Sequence, residues 1–310
     1  MFDRLICGDA ATELAKLPES CIDLIATSPP YWEAVTYGDG QVSQSYHQYL
    51  GGLDQVWLQC ERVLWPNGKL AINTAIMPIP KKVIQQQVRH LKSIPLDIHQ
   101  RIMAYTGLEL LDVFIWQKQT TSHMLGAYPY PGNNLADNSI EHIFVYRKPG
   151  KGRVIPADVK ALDRMPEELM HVDLTQQVWW MHTGDVKRVQ GHPAPFPIKL
   201  PGRLIRLYTV ASNSVILDPF LGTGTTAVAA KRMGRRWLGI DTSQTFLDVA
   251  ARRIEAATEP LTDDELRIGT HWRPRDADAP STGTAKTKAE LERKHKMARY
   301  GRGAKEPVES

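Results

Sequence analysis

The chain has 310 residues, 42% hydrophobic and 23% charged, with a net charge of +4 and three cysteines. That composition suits one large α/β domain with inserts, or two domains. No apolar run approaches the ~20 residues of a membrane span, and Cys7, Cys21 and Cys60 are too scattered for a disulfide framework or a zinc site.

The first ten residues, "MFDRLICGDA", lack the basic, apolar, small-residue order of a secretion signal. The expected location is therefore a reducing cytoplasm. Apolar, β-branched runs bounded by turn residues predict seven strands. They cover 4–9, 21–28, 69–75, 110–116, 141–148, 214–220 and 235–241. Helical patterns fall between most of them, at 12–19, 45–64, 97–107, 223–234 and 243–257. Gly107 and Gly234 read as helix stops, and Thr242 or Ser243 as an N-cap. Strand–helix alternation predicts an α/β fold with a doubly wound, mostly parallel seven-stranded sheet.

Two stretches stand outside that alternation. Residues 120–139 are rich in turn formers and read as a long loop, and 149–191 have no clean period and read as an inserted recognition region. The expected division is a catalytic half over 1–148, the insert over 149–191, a second half over 192–258 and an extension over 259–310. Beyond about Asp276 the apolar content falls and disorder is expected, apart from a helical pattern at 288–300. From Lys286 onward eight Lys/Arg face four Glu, which accounts for the whole net charge. Such a tail attracts polyanions or is simply a solvated segment.

Chemistry concentrates at two strand ends. "VILDPFLGTGTTAVAA" joins a strand, a glycine turn and a helix, with Gly222, Gly224 and Ala227 spaced as G-x-G-x-x-A. Glycine there permits left-handed backbone and close approach of a ligand, or serves packing alone. Asp241 ends the next strand, 19 residues on, where an acid can accept from ribose hydroxyls. No Gly-Lys-Ser/Thr follows, so the turn is not a phosphate loop. Asp218 precedes the glycines and suits a cationic amino group better than a pyrophosphate. The second strand ends in "TSPPYW", residues 27–32. Its prolines stop both sheet and helix and leave stiff, carbonyl-bearing backbone beside two aromatic rings.

The pattern D-P-F-x-G-x-G-T-T from Asp218 resembles the S-adenosylmethionine motif of DNA methyltransferases that modify amino groups. Ser28-Pro29-Pro30-Tyr31 resembles the catalytic tetrapeptide of the same family. "GDAATELAKLPESCIDLIATSPPY", "RVLWPNGKLAIN", "IEHIFVYRKPG" and "HPAPFPIKLPGRLIRLYT" look like its recurring blocks, so the resemblance covers most of 4–256. With the catalytic loop early and the glycine turn late, the order is that of the permuted β group.

The resemblance implies roles residue by residue. Ser28 Oγ and the Pro29 carbonyl would accept hydrogens of the target amino group, Pro30 would stiffen the loop, and Tyr31 would stack on a flipped base. Such stacking is worth ~1–3 kcal/mol per base. Asp218, Phe220, Gly222, Gly224, Thr225 and Asp241 would hold the cofactor, S-adenosylmethionine. Asp9 would contact its adenine or cap a helix. His192 and Phe196 begin the block that closes the pocket, and no metal is expected. Trp32, Trp179 and Trp180 would contact DNA or pack in the protein. Lys151, Arg153, Lys187 and Arg188 would meet phosphates or remain solvated.

Serine at the first tetrapeptide position implies cytosine N4 as target, with adenine N6 as the alternative. Methylation at cytosine C5 needs a nucleophilic cysteine, usually after proline; Cys7, Cys21 and Cys60 follow Ile6, Ser20 and Gln59. A nicotinamide-dependent oxidoreductase would use Gly222, Gly224 and Asp241 but leaves Ser28–Tyr31 unexplained. Expected partners are double-stranded DNA, a second copy as a homodimer and a separate restriction endonuclease, in a bacterium, archaeon or phage.

Overall fold

In a computed structural model, the described residues are 1–32, 44–79, 90–118, 136, 138–182, 196–210 and 214–268. The elements are, in chain order, β1 (Arg4–Cys7), α1 (Ala10–Ala15), β2 (Ile22–Thr27), α2 (Tyr46–Val63), β3 (Leu64–Thr74), β4 (Met77–Ile79), β5 (His90–Lys92), α3 (Ile94–Tyr105), β6 (Glu109–Lys118), β7 (Ile140–Arg147), α4 (Ala157–Leu162), β8 (Val178–Met181), α5 (Lys199–Tyr208), β9 (Val215–Asp218), α6 (Thr225–Arg232), β10 (Arg236–Asp241), α7 (Gln244–Glu255) and α8 (Asp263–Leu266). A π-helical turn spans Leu169–Leu174.

The main sheet runs β1-β10-β9-β2-β3-β7-β6-β8, and β4 pairs with β5 separately. Among the described strands of this sheet, β7 alone runs against the others, antiparallel to both β3 and β6. All seven strands read from the sequence are present. The eighth, β8, comes from the 149–191 segment and pairs parallel with β6. The segment is thus partly built into the sheet rather than standing apart as an insert.

Alternation along the strands assigns the two faces. Ile25, Ile72, Phe144, Leu217 and Ile240 point to the face covered by α1, α2 and α3, whose Leu14, Trp57 and Ile98 pack on it. Leu24, Ala71, Ile143 and Ile216 point to the other face, under Leu204 of α5 and Ala229 of α6. Helix caps follow the sequence. Ser45 and Gln48 form a capping box on α2, and Ser243 caps α7.

The edge carrying β8 is fixed by one fully buried cation. Arg203 of α5 donates to the Asp173 carboxylate and to the carbonyls of Asp173 and Leu266, both at 2.7 Å. Its guanidinium lies 4.6 Å over the Trp179 ring, which stacks on Phe114 at 4.5 Å. Trp179 is therefore core and not a DNA contact.

The sheet has one topological switch point. From β2 the chain proceeds outward to β3, and from β9 it proceeds the other way to β10, while β2 and β9 are neighbours through Leu24–Ile216 and Ile25–Leu217. A crevice at the carboxyl ends of such a pair is where doubly wound sheets bind ligands. The loops that follow β2 and β9 are the two singled out from the sequence.

Candidate active site

Below this crevice the two strands are joined by a buried carboxylate. Thr27 Oγ1 donates to Asp218 Oδ1 at 2.6 Å, Thr226 Oγ1 to Oδ2 at 2.7 Å and Phe220 N to Oδ1 at 3.1 Å. Burial pushes the Asp218 carboxyl up to about 6 against these three donors. Asp218 is 1% exposed and does not line the cavity. The expectation that it meets a ligand's amino group is corrected: it braces the strand leading into Ser28 to the glycine turn.

The cavity, of about 220 Å³, is lined by Asp9 and Ala10 after β1, Ser28 and Pro30 after β2, Pro219 to Thr223 and Thr225 after β9, and Asp241 to Ser243 after β10. Phe196 and Phe246 complete it. Of the expected cofactor residues, Asp9, Phe196, Phe220, Gly222, Thr225 and Asp241 thus come together. Asp9 borders the cavity and also caps α1, its Oδ1 accepting from Thr12 N at 2.9 Å.

The Asp241 carboxylate accepts from Gly222 N at 2.7 Å and from Ser243 N at 2.8 Å. Burial raises its pKa above the ordinary carboxylate range while these amides oppose the rise. The carboxylate keeps acceptor capacity for a ligand beyond these amides. Gly222 takes φ +54, which suits glycine. Gly224, at φ +88, does not line the cavity; a Cβ there would sit 2.8 Å from that of Ala250 on α7. Its role is helix packing, which corrects the expectation of ligand contact.

Around the tetrapeptide, Ser28 is half-buried and borders the cavity, while Pro29 is buried. The Pro30 carbonyl accepts from the Tyr49 hydroxyl at 2.8 Å, which anchors the loop to α2. Tyr31 is 5% exposed, so its ring is not an open platform in this state. Its hydroxyl donates to Glu141 Oε2 at 3.1 Å and lies 3.3 Å from Ser28 Oγ. Glu141 also accepts from Asn73 at 2.6 Å and pairs with Lys118 at 3.1 Å. Sequence reasoning missed Glu141, Asn73 and Lys118; the one signal was an acid inside an apolar strand, "IEHIFVYR".

Other expected DNA contacts fall elsewhere. Trp32 is buried, its Nε1 donating to the Gln44 carbonyl at 2.8 Å and its ring 4.9 Å from that of Tyr46. It packs rather than projects. Arg153 pairs with Asp23 at the start of β2 and lies over Trp65. Five steps along the strand, about 17 Å at ~3.3 Å each, separate Asp23 from Ser28. Gly150 and Gly152 pack on Pro66 and Asn67, which keeps Lys151 at that same far end of the sheet. Neither basic residue joins the site. Trp180 is half-buried on the edge strand β8. Lys187, Arg188 and His192 lie outside the described residues, as do most of 120–139 and the basic tail.

No group of three or more His, Cys, Asp or Glu that could hold a metal occurs among the described residues, and no helix there is long and apolar enough to cross a membrane. The described cavity lining has two carboxylates, several hydroxyls and three phenylalanine rings, with no lysine or arginine. That donor set suits a cationic nucleoside without phosphates and does not suit a pyrophosphate.

Comparison with known proteins agrees. The DNA methylase family model matches residues 22–252. The type II methyltransferase M.MthZI of Methanothermobacter thermautotrophicus is 29% identical over 273 residues, covering 79% of this chain and 74% of its own length. The type II beta methyltransferase M.BslI of a Bacillus species is 26% identical over 264 residues; the match covers 83% of this chain and only 28% of that longer protein. A crystal structure of TTHA0409 from Thermus thermophilus, described as a putative DNA modification methylase and complexed with S-adenosyl-L-methionine, superposes with a TM-score of 0.67. It is 32% identical and covers 82% of this chain and 93% of that one.

Proposed function

This chain belongs to the DNA methylase family of amino-methyltransferases, and on that premise we propose that it methylates the N4 amino group of cytosine within a specific sequence of double-stranded DNA. The observation that carries the reading is that Ser28 and the Gly222–Asp241 pair border one cavity. The acceptor for a target amino group and the seat for a nucleoside are then one ligand apart.

The cavity fits S-adenosylmethionine by its charge and its hydroxyls. When bound, that molecule supplies an electrophilic methyl on a sulfonium. The Asp241 carboxylate would accept from its ribose hydroxyls, and the phenylalanine rings would cover its apolar parts. Braced by Asp218, the glycine turn keeps a fixed distance from the loop of Ser28.

An exocyclic amino group is a weak nucleophile because its lone pair is delocalised into the ring. It is also buried in a duplex, so the base must be extruded to react. Ser28 Oγ and the Pro29 carbonyl would each accept one amino hydrogen, drawing nitrogen toward tetrahedral geometry and aiming its lone pair at the methyl donor. Such orientation supplies much of the rate in an in-line transfer. The nitrogen is acidic once methylated, so no strong base is required. Tyr31 would stack on the base with its hydroxyl kept on Glu141.

Serine at position 28 supports cytosine over adenine. The names of the relatives support a role in restriction–modification, with any endonuclease on a separate chain. Expression in a host without DNA methylation, followed by modification-sensitive sequencing of its genome, tests the proposal. Methylcytosine at one short motif is expected; a genome without any modified motif would overturn it.

A further inference from the structure

Glu141 gathers three elements at the carboxyl end of the sheet. Asn73 of β3 donates to its Oε2, Lys118 of β6 pairs with its Oε1, and Tyr31 of the loop after β2 donates to Oε2. A carboxylate can only accept hydrogen bonds, so this contact claims the single phenolic proton of Tyr31. Ser28 Oγ lies 3.3 Å from the same phenolic oxygen. With the phenolic proton already given to Glu141, Ser28 must be the donor in that contact. Its own proton is then directed at Tyr31, and its lone pairs remain for the cavity it borders.

That direction matters, because a serine hydroxyl is ambivalent and an amino group needs an acceptor. We propose that Glu141 is a positioning residue which acts through Tyr31 to fix Ser28 as a hydrogen-bond acceptor toward the target amino group. The chain Glu141–Tyr31–Ser28 gives a neutral serine the one-way character that a carboxylate has by nature. Lys118 and Asn73 hold Glu141 in place for this purpose. The proposal rests on the methyl-transfer reading above.

The test uses the full-length protein, labelled S-adenosylmethionine and fragmented genomic DNA from a host without methylation. Glu141→Gln keeps the shape, but Lys118, which can only donate, claims the amide oxygen and leaves the NH2 group facing Tyr31, so the direction of the chain is lost. Tyr31→Phe keeps the ring and the Glu141–Lys118 pair but breaks the chain. Each variant is expected to lower kcat ~10- to 100-fold, the range of one charge-assisted hydrogen bond, with KM for DNA and Kd for S-adenosylmethionine essentially unchanged. The double variant should lose no more than either single one, because both act through one chain.

Unchanged kcat in Glu141→Gln, or losses that multiply in the double variant, would overturn the proposal while transfer by the unaltered protein upholds the function. No transfer by the unaltered protein would overturn both. If Glu141→Gln does not fold, Tyr31→Phe decides alone: kcat at the unaltered level contradicts the chain, and reduced kcat at constant KM supports it.

Discussion

Thr27 donates to Asp218 across 2.6 Å, and by that contact the strand leading into Ser28-Pro29-Pro30-Tyr31 is tied to the strand leading into the glycine turn. The two halves of the site therefore share a buried hinge point instead of merely facing each other. Because Asp218 is enclosed, its carboxyl is raised to about 6, and the bond has consequences for stability.

A carboxyl whose folded pKa exceeds its unfolded value of 3.8 favours folding in its protonated form. Its contribution is fully present below the unfolded value and is lost as pH rises through about 6. Asp218→Asn removes this dependence. Thr226 can then donate to the Ala26 carbonyl, 3.3 Å away, and accept from the new amide. Denaturant unfolding at roughly pH 4.5 and about pH 7.5 should show the variant gaining relative to the parent at the higher pH. The gain between the two pH values has an order of ~2 kcal/mol, because part of the full shift is already felt at about pH 4.5. Parallel pH profiles for the two proteins would rule out the assignment.

Ser28→Ala removes the acceptor without touching the Asp241 side of the cavity. Turnover should fall ~100-fold or more, as for loss of a group used in the transition state. Calorimetric titration with S-adenosylmethionine should give an unaltered Kd. An equal loss in both would mean that Ser28 shapes the cofactor site instead.

Asp241→Ala strips the acceptor of Gly222 N and Ser243 N and the expected acceptor of the ribose. The Kd for S-adenosylmethionine should rise at least ~10-fold, from charge-assisted bonds worth ~1.5–3 kcal/mol each. The same titration checks it, with an unchanged Kd as the contradictory result.

Trp179→Ala distinguishes core from DNA contact. Truncating a buried Trp typically costs ~3–5 kcal/mol, and here it also uncovers the Arg203 guanidinium. Thermal unfolding should show a large loss. Arg153→Ala, at the far end of the sheet, should leave DNA affinity and its salt dependence unchanged. A Trp179→Ala protein of normal stability with weakened DNA binding would restore the reading that the structure corrects.

Much of the fold was legible because the seven strands are apolar runs closed by Gly, Pro, Asp or Asn, and period-two alternation survives even where both faces are covered. Strand β8 was not legible: "VWWM" is four residues long, lies in a segment without period, and gains its identity only by pairing with β6. The site was legible at its strand ends, where proline and glycine constrain the backbone whatever the tertiary context. Asp218 misled because a strand's end does not reveal which way its last side chain points. Glu141 escaped because its partners Tyr31 and Asn73 are 110 and 68 residues distant in sequence, and only the sheet brings them together. Lys151 and Arg153 looked like phosphate contacts by charge, yet charge alone says nothing about which end of a sheet a loop joins.

The most direct measurement incubates the protein with methyl-labelled S-adenosylmethionine and unmethylated duplex DNA, digests the DNA to nucleosides and identifies the labelled one. Label in N4-methylcytosine is the predicted result. Label in N6-methyladenine would contradict the inference drawn from Ser28, and the absence of labelled nucleoside would contradict methyl transfer itself.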